Sequence, residues 1–295
     1  MKHLLRLFAF VLLCVTFLSC QKAVFDEEDD GGKTSGSAML RFRVSQFEQM
    51  PFDVSDATRA TNVGETCSVL NFAVYQDGKK VTQINQKNTD SDFGTIDLSL
   101  SSGRYLVVLL AHSCDGNATM TDPEKITFPN NKLTDTFWYA DSVIVDNDSI
   151  YQLKMKRAVA MFRLQTTDEV PSNVSTVRFY FTGGSSTFNA LTGVGCVQSK
   201  QWENFSVTDD MIGKTATFQV YTFPRTGSAG LNMQISNLDK SNNTLAEKTI
   251  ADVPVRRNVI TLYKGCLFSQ GTGSKGGFSI DLISDDEWSV NTYDL

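Results

Sequence analysis

Residues 68–79 have the sequence SVLNFAVYQDGK, in which a run of apolar and β-branched residues ends at an Asp-Gly pair. Asp77 and Gly78 both tolerate the positive φ angles that a two-residue hairpin turn requires. The run before them predicts a strand, and residues 79–84 predict the strand that returns beside it. This stretch therefore indicates an antiparallel β fold.

Strand signals of the same kind continue along the chain, separated by turns rich in Gly, Asn, Ser and Asp. They fall at residues 39–44, 95–100, 104–111, 150–156, 157–166, 176–182, 215–223, 231–238, 248–253, 258–268 and 278–283. Short helices are possible at 122–128 and 209–213, but no longer helical period is present. The pattern predicts an all-β protein of two β-sandwiches with a border near residues 154–157, because each half holds enough strands for one sandwich.

The N-terminal residues predict the compartment. Lys2 and Arg6 precede an apolar stretch at residues 7–18, which is too short to span a bilayer and is typical of a secretion signal. The stretch ends at Ser19 and Cys20, as in a lipoprotein signal, so we expect the Cys20 thiol to carry a diacylglycerol anchor. The alternative is an ordinary signal with an incidental cysteine. Residues 20–38, acidic and then rich in Gly and Ser, predict a flexible tether.

Composition disfavours several classes of function. The net charge of −6 disfavours nucleic acids and anionic membrane surfaces as partners. His112 is the one histidine after the signal and ends an apolar strand, so we expect a structural role for it. The glycine-rich residues 271–277 lack the spacing of a phosphate-binding loop. The sequence thus predicts no enzyme activity, no metal and no cofactor.

Four cysteines lie beyond the signal and tether, and they contain no C-x-x-C pair that would indicate a zinc or redox site. They are Cys67, Cys114, Cys196 and Cys266. One interpretation is that all four are small buried apolar residues with free thiols. In an oxidising envelope, disulfides within each half are the alternative, pairing Cys67 with Cys114 and Cys196 with Cys266.

Four local patterns follow one another across residues 39–283. They are TRAT at 58–61 before LNFAVYQDG at 70–78, SGRY at 102–105 leading to AHS at 111–113, RAVA at 157–160, and VPVRRNVITLYKG at 253–265. In this order they resemble the fimbrillin-like superfamily of Bacteroidota. The resemblance implies two tandem transthyretin-like Greek-key β-sandwiches in a surface lipoprotein. The expected organisation is a signal at residues 1–19, a tether at 20–38, and sandwiches at 39–156 and 157–295.

The resemblance also implies a mode of assembly. In polymerising members of the superfamily, a protease cuts after an arginine that follows the first strand, and Arg59 is the matching position here. A strand from a partner then fills the groove that the lost strand leaves, because an unpaired sheet edge and exposed core positions are costly. An uncut chain would remain a membrane-held anchor.

These observations predict a cell-surface fimbrial subunit of anchor or accessory type, lipid-anchored in the outer membrane and assembling with other fimbrial subunits by donor-strand exchange. Its role would be adhesion to a host or bacterial surface whose ligand the sequence leaves open. The alternative is a glycan-binding surface lipoprotein of a polysaccharide-uptake system. In that case Trp138, Trp202 and Trp288 would stack on sugar rings.

Overall fold

The computed structural model describes residues 36–47, 63–269, 279–284 and 291–293, the last two ranges by their backbone only. Strands account for nearly all of the regular structure in these ranges. In the N-terminal half they are β1 (Ser37–Phe47), β2 (Val69–Gln76), β3 (Lys79–Lys87), β4 (Thr95–Ser101), β5 (Gly103–His112), β6 (Ile126–Thr127), β7 (Phe137–Val145) and β8 (Ser149–Arg157). A single helical turn, α1 (Val63–Thr66), precedes β2, and a short 3-10 turn spans Pro129–Asn131.

The C-terminal half continues with the same kind of element. Its strands are β9 (Ala160–Thr166), β10 (Thr176–Thr182), β11 (Thr187–Asn189), β12 (Val194–Gly195), β13 (Gln201–Ser206), β14 (Thr217–Thr222), β15 (Leu231–Leu238), β16 (Thr244–Val253), β17 (Val259–Gly265), β18 (Ser279–Ser284) and β19 (Asn291–Tyr293). The all-β fold class that the sequence predicts is confirmed. The Greek-key detail and the division into two sandwich domains stay predictions.

The N-terminal half forms two layers from one seven-stranded sheet of order β3-β2-β5-β7-β8-β1-β4. β7 and β8 pair only where Phe137 and Trp138 lie opposite Arg157 and Lys156, so the sheet divides there. The strands β3-β2-β5-β7 then face β8-β1-β4. Their inward side chains, among them Phe72, form one apolar cluster drawn from both layers, as expected for alternating strands that share a core.

The C-terminal half repeats this strand order. A four-stranded sheet runs β13-β10-β15-β16, and a five-stranded sheet runs β14-β9-β17-β18-β19. β9 pairs antiparallel with β14 and parallel with β17, as β1 does with β4 and β8. The C-terminal half differs in one respect: β18 and β19 extend its five-stranded sheet beyond β17.

A second apolar cluster joins the two halves. It combines residues of β2 and β5, such as Tyr75 and Leu110, with Phe188 of β11 and Phe223 after β14. The small sheet β12-β11-β6 also crosses between the halves, since Ile126 lies opposite Phe188. The two halves therefore share this second buried core.

The Asp-Gly turn is confirmed. Asp77 has a φ of 51° and Gly78 a φ of 73°, and β2 and β3 pair on either side of them. The two predicted short helices are wrong: residues 209–213 form turns with an isolated bridge at Ile212, and residues 122–125 form a turn with flanking bends that leads into β6. In the segment 122–125 a turn is favoured by Pro123 and by the hydrogen bond that the Glu124 N–H donates to the Asp122 carboxylate at 2.9 Å. The helices within the described residues are too short to cross a bilayer.

Candidate functional site

The strand β1 lies as an insert between β4 and β8. It pairs antiparallel with β4 from Ser37 to Arg43 and parallel with β8, with one register shift between Val44 and Gln46. Both of its edges are thus hydrogen bonded. Removing this strand would leave two sheet edges without a partner, which is the costly state that β-strand addition relieves.

The inward side chains of β1 are part of the core. Leu40 and Phe42 are fully buried. The Phe42 ring stacks on Tyr151 of β8 at 4.9 Å and lies 5.0 Å from the Phe72 ring. At the far end, Phe47 meets the Phe137 ring edge-on at 4.6 Å. The strand therefore supplies side chains as well as hydrogen bonds to the groove that it fills.

The outward side of β1 borders a surface cavity of about 410 Å³, lined by residues of β1, β4 and β8. Met39 and Ile150 contribute its exposed apolar walls, at 58% and 63% exposure. Arg41 donates two hydrogen bonds of 2.6 Å to the Asp97 carboxylate, and these bonds lower the pKa of Asp97. The cavity depends on β1 and would be lost with it.

A buried ion pair lies where the two halves meet. Arg157, at the end of β8, is fully buried, and its Nε donates to Asp135 Oδ1 at 2.8 Å. A second bond from the guanidinium reaches Asp135 Oδ2 at 3.1 Å, and a third reaches Asn258 in the turn before β17. The guanidinium also lies 5.0 Å from the centre of the Phe137 ring. One side chain thus links β8, the segment before β7 and the C-terminal half.

The two tryptophans of the described residues have different environments. Trp138 lies against the second half: its indole donates to Ala190 O at 2.9 Å, and Arg257 lies 5.2 Å from its ring centre. Trp202, on β13, is 56% exposed. Of these two, Trp202 is the more exposed. Trp288 lies outside the described residues.

His112 has a structural setting, as the sequence predicts. The imidazole is fully buried, and Nδ1 accepts a hydrogen bond from the Cys114 N–H at 3.1 Å, so Nε2 carries the proton and donates to Asn71 Oδ1 at 2.8 Å. Burial lowers the pKa of His112 to about 4. The ring is therefore neutral at pH 7 and holds the end of β5 in place.

The four cysteines beyond the tether are free thiols in the structure. Cys67 and Cys114 are buried in different apolar clusters, and burial raises the pKa of both thiols. Cys196 and Cys266 are exposed, the first beside Thr187 and the second beside Thr167. Their oxidation to the two disulfides stays a prediction.

Two predicted positions, the lipid-bearing Cys20 and the processing site Arg59, lie outside the described residues. Among the residues that are described, no group of three or more His, Cys, Asp or Glu side chains is arranged to hold a metal ion.

A family model matches residues 46–295, and its description is a family of unknown function, DUF6562. The chain belongs to this family. No curated protein matches the sequence at a significant level. The DUF6562 match covers β2 to β19 and leaves out most of β1.

Solved structures resemble the fold at low sequence identity. A candidate polysaccharide-binding protein from Bacteroides thetaiotaomicron aligns with a TM-score of 0.51 and 9% identity, over 87% of this chain and 98% of that chain. A candidate adhesin from Bacteroides ovatus aligns with a TM-score of 0.50 and 13% identity, over 88% of this chain and 95% of the other. The fimbrial anchor protein Mfa2 from Porphyromonas gingivalis aligns with a TM-score of 0.46 and 7% identity, over 88% of this chain and 100% of that chain. The first two alignments show that this chain shares the fold of those proteins at low sequence identity.

Sequence reasoning missed the partner of Trp202. β13 lacks the apolar run of a buried strand, so the sequence pattern does not predict this strand. The pattern therefore does not show that Trp202 lies opposite Tyr180 on the neighbouring β10. The usable signal is the alternation in QWENFS at 201–206, where Trp202, Asn204 and Ser206 share one face.

Proposed function

We propose that this DUF6562 protein is a cell-surface fimbrial subunit of anchor or accessory type, with a lipid on Cys20, that assembles by β-strand addition and serves adhesion. The observation that carries the proposal is the position of β1. It is an inserted strand whose apolar side chains fill a core groove between β4 and β8, and Arg59 follows it in the sequence. The description of a structurally similar Bacteroides ovatus protein as a candidate adhesin supports the surface role.

The physical reason for strand exchange is that the groove is incomplete without a donor. A replacement strand would need apolar side chains at alternate positions, matching those that Leu40 and Phe42 occupy, and an extended backbone to satisfy both edges. A chain cut after Arg59 could release β1 and accept such a strand. An uncut chain would keep β1 and remain attached through Cys20.

The assembly proposal is tested by treating the purified protein with an arginine-specific protease, followed by mass spectrometry and electron microscopy. We expect cleavage after Arg59 and strand-exchanged oligomers, and an Arg59→Lys variant should stay uncut there and unassembled. A protein that is fully cleaved at Arg59 and remains monomeric would contradict assembly by strand addition.

The anchor proposal has a separate test in cells that are fed radiolabelled palmitate. We expect the label in the wild-type chain and in a Cys14→Ser variant, because Cys14 lies inside the signal. A Cys20→Ser variant should lose the label and leave the membrane fraction. Label that persists in Cys20→Ser, or that depends on Cys14, would exclude Cys20 as the anchor.

A further inference from the structure

The outer face of the four-stranded sheet β13-β10-β15-β16 is a solvent-facing surface in the C-terminal half, here called the platform. Its side chains follow from strand alternation. On β10, Val177, Phe179 and Phe181 point into the core, so Arg178 and Tyr180 lie on the opposite face. The buried side of each strand thus fixes which residues form the platform.

Two aromatic residues lie next to each other at one end of a row that crosses the sheet. Tyr180 on β10 is directly opposite Trp202 on the edge strand β13. Opposed residues of antiparallel strands have Cβ atoms about 5 Å apart, so the two side chains lie side by side on this face and are here called the aromatic strip. Trp202 exposes 56% of its surface, an unusual amount for the largest apolar side chain.

The groups around the strip are hydrogen-bonding, and most of them are uncharged. Gln234 on β15 lies opposite Tyr180 on its other side, and Thr249 on β16 lies opposite Gln234. In the next row the Arg178 guanidinium donates to Asn204 Oδ1 at 3.0 Å. Further along that row, Ser236 Oγ donates to Glu247 Oε2 at 3.2 Å. The one cation and one anion of these rows each lie beside a neutral partner, so the surface has no dominant charge.

The corresponding face in the N-terminal half is quite different. The strand order matches β2 to β10 and β5 to β15, but the outward residues of the first sheet are apolar and fully buried, with Ala73, Val108 and Leu110 inside the cluster that joins the halves. That face is buried in the contact between the two halves. The platform has the same position in its own half, yet it carries aromatic rings and amides and remains open.

This chemistry matches one kind of ligand. Pyranose rings present apolar C–H faces that pack on aromatic side chains, and hydroxyls that pair with amide, hydroxyl and guanidinium groups. Nucleic acid would need a surplus of basic residues, which the platform lacks. We propose that the platform binds a polysaccharide of uncharged pyranose sugars, lying along the Trp202–Tyr180 strip. The proposal does not depend on strand exchange or on the lipid anchor.

Affinity electrophoresis of the purified protein in gels containing α-mannan, β-glucan or xylan tests the proposal. We expect at least one of these polysaccharides to retard the wild-type protein, and Trp202→Ala and Tyr180→Ala each to weaken that binding by at least about tenfold. Trp202→Phe should retain most of it. Ile150→Ala is the matched control, because it removes an exposed apolar side chain on another face.

Thermal unfolding of each variant checks whether the substitution has destabilised the fold. Trp202→Ala should keep the wild-type melting temperature, because the Trp202 ring is exposed in the wild type. No retardation of the wild type by any of the three polysaccharides would overturn the proposal. So would retardation that Trp202→Ala leaves unchanged. A concentration-dependent dimer in sedimentation that Trp202→Ala abolishes would assign the platform to a second protein copy and would also overturn it.

Discussion

Arg157 shows what a single buried charge does in this fold. Its guanidinium has no contact with solvent, and it is compensated by the Asp135 carboxylate and the Asn258 side chain. Replacing one partner of such a pair leaves the other buried and unpaired, which is more costly than the loss of the pair itself. We therefore expect Arg157→Met to lower the free energy of unfolding by about 3–5 kcal/mol.

Urea denaturation measures this change, and the exposed pair of Arg41 and Asp97 provides the control. Arg41→Met should leave the free energy of unfolding nearly unchanged, because both groups remain hydrated when separated. Equal effects of the two substitutions would mean that the Arg157 site is more hydrated than its burial indicates.

His112 predicts a pH dependence of stability. Its pKa is about 4 in the folded protein and about 6.5 when unfolded, so the unfolded chain binds the proton first as the pH falls. Its contribution is fully present above about pH 6.5 and is lost as the pH falls to about 4, a change of about 3 kcal/mol.

Denaturation at a series of pH values, compared with a His112→Gln variant, isolates this effect from the carboxylates that titrate in the same range. The variant should be less stable at pH 7 but should lose less stability between pH 7 and pH 4. Parallel curves for the two proteins would show that His112 does not titrate differently on folding.

At the scale of elements, β1 is expected to be required for the N-terminal core. Phe42→Ala should lower the free energy of unfolding by about 3–5 kcal/mol, because it leaves a cavity against Phe72 and Tyr151. Met39→Ala, on the exposed face of the same strand, should change it by less than about 0.5 kcal/mol. Chemical denaturation of both variants measures the contrast, and similar values would mean that β1 is not packed in the groove.

The sequence predicts those strands well that alternate or are fully buried. The Asp-Gly hairpin and the strands β5 and β10 were recognisable because local pattern and final environment agree. β13 was missed for a physical reason: it lies at a sheet edge, where few positions must be apolar. β7 was missed although most of its residues are apolar or aromatic. The platform was missed with them, because Tyr180 and Trp202 are brought together by strand pairing across 22 residues of sequence separation.

At the scale of the whole molecule, the cluster that joins the halves should make them unfold together. Phe188 of the second half lies 5.8 Å from Trp138 of the first and 4.8 Å from Phe223. We expect a single calorimetric transition for the wild type and two transitions for Phe188→Ala, because that side chain belongs to the shared core.

Val81→Ala is the control for this experiment, since Val81 is half exposed on β3 and should leave one transition. Two transitions in the wild type would mean that the junction contributes little to cooperativity. The sequence could not predict this junction. Its members are apolar residues like those of any core, and only the three-dimensional arrangement distinguishes a contact between halves from a contact within one.

The pairing of β1 also has a mechanical consequence. Ladder hydrogen bonds run across their strands, perpendicular in the antiparallel pair with β4 and slanted in the parallel pair with β8. A pull along the axis of β1 therefore loads the bonds to both neighbours at once, whereas a sideways pull would break them one after another. If the chain is held by its N terminus, the drag of flowing liquid would reach the fold through Ser37 at the start of this strand. The protein would then meet shear stress in the direction in which its sheet resists rupture best.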